Sequence, residues 1–442
     1  MRFLVLILFL ISIDCFSQTK GFHNPVPTKQ QLAWQEMEFY LFVHFGPNTF
    51  TDKEWGEGTE PEDIFNPTNL DCRQWCRIAK AAGAKGIIIT AKHHDGFCLW
   101  PSSYSTHTVR ESKWKNGKGD VLKELSQACK EYGLKFGVYI SPWDRNHPKY
   151  GTPAYNDVFV NMMKEIFTNY GPIWELWWDG ANGEGPNGKK QIYDWTRFEN
   201  TVRSISPNTV IFSDIGPDVR WCGNENGIAG ETNWNYLDTA GFTRGMGAPP
   251  TDTLNLGNVN GKNWIPAECD VSIRPGWFYH KEEDEKVKTP EQLFQLYLKS
   301  VGHGANLLLN VPPDSRGRIN EKDSAALVGF RRLRDQSFKN VFVEGGTDSL
   351  VINFDKPIKT NCIVLGESLK NGQKVSRFHL YLIEGSGNSE QMKGTTIGNK
   401  RIITFSTRTL RRLYFVIDSY KTTIVPKVSV SEFLIPENLI EK

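Results

Sequence analysis

Side chains able to do chemistry gather in this chain at the ends of apolar runs. The segment IWELWWDG (173–180) carries Ile, Leu and Trp, then stops at Asp179 and Gly180. VHFG ends its run in His44, AKHHDGF ends in His93, His94 and Asp95, and Tyr139 and Trp143 surround the end of GVYIS. A carboxylate delivered by a stiff strand can serve as a nucleophile or as the base that activates water. Imidazoles beside it can both donate and accept hydrogen bonds. Taken alone, each residue has an ordinary structural use: Asp179 can cap the following turn, and the histidines can be satisfied inside the core. Four strand ends all carrying such groups make a shared site the better reading. A metal centre of His44, His93 or His94, and Asp179 is the weaker alternative. Neighbours on one strand point to opposite faces, so His93 and His94 would seldom reach one ion. No H-x-H or H-E-x-x-H pattern occurs, and no metal or other cofactor is expected.

A pair of carboxyl groups suits glycoside hydrolysis. If Asp179 acts at the anomeric carbon, a second carboxylic acid must protonate the departing oxygen, and apolar surroundings must raise its pKa. Three glutamates in later loops compete for that part: Glu225 in DVRWCGNENGIAG, Glu231 in AGETNW and Glu268 in PAECDVSIRPGWFYH. Glu225 leads because its Gly/Asn-rich loop lies beside Trp221, but spacing alone leaves the choice open. Composition fits a sugar site. The chain has 14 Trp, several of them next to Gly, Asp, Asn or His, and indole faces stack on the C–H faces of sugars. With 52 basic and 50 acidic residues the net charge is +2, which gives no case for nucleic acid or an anionic membrane as partner.

The elements that must position these groups follow from periodicity. Strands are expected over 39–46, 85–97, 135–141, 173–180, 209–214 and 305–313, with two more between 225 and 280. Helical periods over 71–82 and 120–132 end at Gly83 and Gly133. This alternation predicts a parallel sheet closed into a (β/α)8 TIM-like barrel, an α/β fold whose carboxyl-end mouth collects the polar strand ends. After about residue 338 the pattern changes to SLVINFDKPI, RFHLYLIEG, KRIITFSTR, RRLYFVIDS and KVSVSEFLIP, strands with no helical period between them. They predict a C-terminal β-sandwich. The charged run HKEEDEKVK (280–288) reads as a solvated loop or helix start.

The domains expected are thus a signal peptide (1–17), the barrel (18–337) and the sandwich (338–442). The leader has one Arg, an apolar run from Phe3 to Ile13 too short to span a bilayer, and a cleavage site after Ser17. Export follows, to the periplasm, the cell surface or the medium. Lipid anchoring at Cys15 is the competing reading, which Asp14 fits poorly. The mature chain keeps seven cysteines, an odd and scattered set that reads mostly as buried thiols, with room for one or two disulfides.

YLFVHFGPNTF, DKEW, GAKGIIITAKHHDGFCLWPS, GVYISPWD, WELWWDG and GANLLLNVPPDSRGRI, in that order between about residues 30 and 335, together resemble the α-L-fucosidases of glycoside hydrolase family 29. RWCGNENGIAGETNW further resembles the subgroup that prefers α-1,3- and α-1,4-fucosyl branches, as in Lewis-type glycans. The resemblance implies a barrel with a C-terminal β-sandwich, no metal, and retention of configuration through a covalent fucosyl-enzyme. It implies Asp179 as nucleophile and Glu225 as acid/base. It places His44, Glu54, Trp55, His93, His94 and Tyr139 on the fucose, with Trp177, Arg220 and Trp277 as looser matches. A retaining pair of carboxyls should lie about 5–5.5 Å apart. The partner expected is a fucosylated oligosaccharide or glycoconjugate. The competing class is an exported carbohydrate-binding protein with a degenerate barrel site, which would bind fucose without hydrolysis.

Overall fold

The computed structural model describes residues 25–242, 244–245, 249–338, 341–345, 349–418, 427–431 and 434–440. The expected leader, its cleavage site and Cys15 lie outside the described residues.

The first ten strands are β1 (Phe39–Val43), β2 (Gly86–Lys92), β3 (Lys135–Ile140), β4 (Glu175–Trp177), β5 (Val210–Ser213), β6 (Val219–Trp221), β7 (Tyr236–Leu237), β8 (Asn263–Trp264), β9 (Ala267–Ser272) and β10 (Asn306–Asn310). Eight of them close a barrel in the order β1-β10-β9-β6-β5-β4-β3-β2. Every neighbouring pair in it is parallel. Only β9 of the two strands expected between 225 and 280 joins the barrel. The other barrel strand is β6, which precedes that window. Its three residues Val219, Arg220 and Trp221 form no apolar run. The window holds instead the antiparallel pair β7–β8.

Strand alternation sorts the side chains. Tyr40 and Phe42 pack with Ile88, Tyr139, Trp177, Phe212 and Leu308 in one cluster, the barrel interior. Phe39, Leu41 and Val43 pack with Ile87, Ile89, Val138 and the helices in another. Both faces of each strand are buried, as a parallel barrel requires. Helices Cys72–Ala82 and Val121–Tyr132 form where their periodicity predicts. Asp71 and Asp120 accept the backbone N–H of Gln74 and Lys123 at their starts, and Gly83 (φ 72°) and Gly133 (φ 64°) end them in the left-handed conformation. The run at 280–288 contains a short 3-10 helix, Lys281–Lys286.

Beyond helix Glu321–Ser337 come β11 (Val341–Gly345), β12 (Ser349–Gly366), β13 (Phe378–Glu384), β14 (Ser389–Gly394), β15 (Arg401–Ile417) and β16 (Lys427–Ser431). They make an additional antiparallel sheet in the order β11-β16-β12-β15-β13-β14, consistent with the C-terminal β-sandwich expected after the barrel. Two expected strands, 400–408 and 411–419, are one. No turn-forming residue separates them, and β15 stays paired with β12 through register shifts. The module grips the barrel segment 231–236: Arg401 donates to Glu231 O (2.7 Å), Gln373 donates to Asn233 O (3.0 Å), and Asn235 N–H donates to Gln373 (2.8 Å). Among the described residues all seven cysteines are free and buried. No helix of the described residues is long and apolar enough to cross a membrane.

Candidate active site

A cavity of about 160 Å³ opens at the carboxyl ends of the barrel strands. Ten of the eleven residues that the resemblance assigns to the site line it: His44, Glu54, Trp55, His93, His94, Tyr139, Trp177, Asp179, Glu225 and Trp277.

Asp179 follows β4 by two residues and reconciles its two readings. Its Oδ1 accepts the Ala181 N–H (2.7 Å), so one oxygen does cap the turn. Its Oδ2 accepts the Tyr139 hydroxyl (3.0 Å) and lies 3.9 Å from His94 Nε2. Tyr139 is itself fixed by stacking on Trp177, with ring centroids 5.3 Å apart. Trp177 stacks in turn on Phe212 at 3.9 Å. The nucleophile candidate thus rests on packed aromatic surface, aimed by a hydroxyl and a backbone amide.

The histidines converge more closely than strand geometry suggested. His93 and His94 both line the cavity, with ring centroids 4.2 Å apart, which corrects the expectation of opposite faces. The cause is that β2 ends at Lys92, so the pleat no longer governs them. His44 Nδ1 lies 2.8 Å from Asn310 Oδ1, and His94 Nδ1 lies 2.8 Å from Ser141 Oγ. Burial lowers both imidazoles to a pKa of about 4 and holds His93 well below its usual range, so all three are neutral at pH 7. His93 Nδ1 is buried with no hydrogen-bond partner among the described residues. Neutral imidazoles each offer one N–H and one lone pair, a match for sugar hydroxyls. Among the described residues, donor atoms spaced for a metal ion occur at Asp52, His280 and Glu282, and none of these three lines the cavity.

Glu54 also lines the cavity. Its carboxylate accepts the backbone N–H of Trp277 (2.8 Å) and Phe278 (3.1 Å) and lies 2.7 Å from His280 Nε2. Trp55 stands on the rim, 53% exposed, edge-on to His94.

Of the three glutamates considered as acid, Glu225 alone reaches the cavity. Partial burial raises its pKa, and the charges of Asp179 and Glu54 act in the same sense. A hydrogen bond from Trp277 Nε1 (3.4 Å) opposes them. Glu231 points away, towards Arg401 of the C-terminal module (3.8 Å). Glu268 is not on a loop. It sits in β9 inside the barrel, fully buried, accepting Tyr40 Oη–H and Trp177 Nε1–H. Arg220 is also outside the cavity: its guanidinium is buried and donates to the carbonyls of Leu254, Ile265 and Trp234 and to Asn233. It braces the loop beyond β6 and does not face a ligand.

Asp270, Phe42 and Ala181 also line the cavity and were not singled out in the sequence. Asp270 had a readable signal. It lies within β9, two residues beyond Glu268 and so on the same face of that strand.

Comparison with known proteins identifies the family. The family model Alpha-L-fucosidase matches residues 23–331. Alpha-L-fucosidase 1 of Arabidopsis thaliana is 42% identical over 438 residues, covering 90% of this chain and 85% of its own. Among solved structures, a glycoside hydrolase 29 family member from an unknown rumen bacterium superposes with a TM-score of 0.87 at 43% identity, over 94% of this chain and 78% of its own. A Ruminococcus gnavus GH29 fucosidase in complex with fucose gives 0.84 at 29% identity, over 94% and 96%. These relatives do not favour the reading as a binding protein without hydrolysis. With a carboxylate at the end of β4, a cavity at the barrel mouth and a family match over most of its length, the chain belongs to the α-L-fucosidases of glycoside hydrolase family 29 and hydrolyses fucosyl residues.

Proposed function

We propose that the protein is an exported, retaining exo-α-L-fucosidase for α-1,3/1,4-fucosylated glycans of the Lewis type. The observation that carries the mechanism is the pairing in one small cavity of Asp179, aimed by Tyr139, with Glu225, whose pKa is raised. Asp179 attacks the anomeric carbon while Glu225, still protonated, donates to the oxygen of the leaving sugar. Glu225, now a carboxylate, takes a proton from water, and that water hydrolyses the fucosyl-enzyme. His44, His93 and His94, which line the cavity, bind the ring hydroxyls. Trp177 and Trp277 supply apolar surface for the C6 methyl and the ring. The loop sequence RWCGNENGIAGETNW supports the linkage preference, and the apolar run 3–13 supports export.

The test is release of free L-fucose from a Lewis-type trisaccharide by the wild type beside Asp179→Ala. The variant should lose at least about 10⁴-fold in kcat, the scale for removing a covalent nucleophile. A variant that keeps the wild-type rate would refute the assignment of Asp179. A wild type active on an aryl α-L-fucoside but silent on the trisaccharide would refute the linkage preference.

A further inference from the structure

One buried carboxyl on the cavity wall has no part in the reaction as written above. Asp270 lies near the end of β9, is 4% exposed and lines the cavity beside Glu225 and Trp277. One of its oxygens is taken: Trp221 Nε1–H, from the adjacent strand β6, donates to Oδ1 at 2.9 Å. That bond fixes the rotamer and leaves Oδ2 for a ligand. The ionisable groups that act on it most are Cys222 and Glu225, both from the loop after β6. Asp270 therefore stands on the side of the cavity held by the acid, where the bond to the leaving sugar lies.

We propose that Asp270 is a specificity-determining residue that hydrogen-bonds a hydroxyl of the sugar from which fucose is cut. The proposal rests on the fucosidase reading above and adds to it a contact for the leaving glycan. The chemistry suits the part. Burial, then Cys222 and Glu225, hold the carboxyl well above the usual carboxylate range, which favours the protonated form with an O–H to donate. A neutral acid there also adds no negative charge beside Glu225 as Glu225 ionises. An aryl leaving group has no hydroxyl for it to bind.

The experiment compares kcat/KM for Asp270→Ala and wild type on two substrates, a fucosylated trisaccharide and 4-nitrophenyl α-L-fucoside. Loss of one hydrogen bond to a hydroxyl should lower the trisaccharide value about tenfold and leave the aryl value within about twofold. Asp270→Asn keeps an acceptor for Trp221 and an N–H to donate, so it should recover most of the trisaccharide activity. If the alanine variant does not fold, Asp270→Leu, which fills the space without hydrogen-bonding, reads the same ratio. Equal losses on both substrates, or no loss on the trisaccharide, overturn the proposal, since Asp270 would then serve the fucose or the fold alone. A wild type that cleaves the aryl fucoside and no trisaccharide overturns it too. A wild type that cleaves neither removes the fucosidase reading on which it stands.

Discussion

Replacing Glu225 by Gln separates the acid from every other group in the cavity. Gln keeps the volume and an acceptor for the Trp277 indole but cannot give up a proton. A positioned general acid contributes about 10²–10⁴-fold, or roughly 2.7–5.4 kcal/mol at about 1.36 kcal/mol per tenfold. That contribution is needed in full when the leaving group is a sugar alkoxide and scarcely at all when it is a nitrophenolate. Glu225→Gln should therefore lose about 10²–10⁴-fold in kcat/KM on a trisaccharide and less than about tenfold on 4-nitrophenyl α-L-fucoside. The ratio kcat/KM reports only the steps through formation of the fucosyl-enzyme. Breakdown of that intermediate appears in kcat, which azide should partly restore by attacking without a base. The pH profile gives an independent reading. Burial and the Asp179 charge raise the Glu225 pKa, so the proton is retained to higher pH than in an ordinary glutamate. Activity falls only as pH rises through that raised value. In the variant this alkaline limb should vanish. An equal loss on both substrates, or a surviving alkaline limb, would refute the assignment of Glu225.

Two further outcomes follow from packing. Glu175 and Glu268 are both fully buried, and burial together with its Glu268 neighbour holds Glu175 well above the carboxylate range. The folded state therefore keeps a proton that the unfolded chain has lost above its ordinary carboxyl pKa, and stability declines as pH rises from there towards the folded value. Glu175→Gln removes the titration of this group, so its Tm should decline less than the wild type's between pH 5 and pH 8; parallel declines would refute a proton held on Glu175. A Cβ added at Gly180 would come within 1.9 Å of Asp214 Oδ2, whose carboxyl burial and Asp179 already push up to about 7. Gly180→Ala should lower kcat/KM at least about tenfold and cost about 1–3 kcal/mol of stability through overpacking; unchanged kinetics would show that the segment after Asp179 yields freely.

Legibility in the sequence followed the range of the interactions involved. Helix ends at Gly83 and Gly133, strand cores such as IIIT and LLLN, and the polar groups at strand ends are set by neighbours a few residues away. Period 2, period 3.6 and a left-handed C-cap are all local. β6 escaped because three residues with an Arg among them carry no period, and their strand state depends on β5 and β9 already standing beside them. The joined strand β15 escaped for the same reason, since β12 supplies the pairing that carries it on.

The site divides along the same line. The sequence alone determined that Asp179, His44, His93 and His94 would meet, because a barrel brings the carboxyl ends of all its strands to one mouth. Which glutamate joins them was decided only by the tertiary structure. Local sequence favoured Glu225 over Glu231 and Glu268 without excluding either, yet one reaches the cavity, one turns to Arg401 of the C-terminal module and one is sealed inside the barrel. Arg220 and Asp270 exchange expectation for the same cause. Whether a side chain at a strand end looks into the cavity or into the wall depends on pleat phase and on the partners packed across it, and those partners lie far away along the chain.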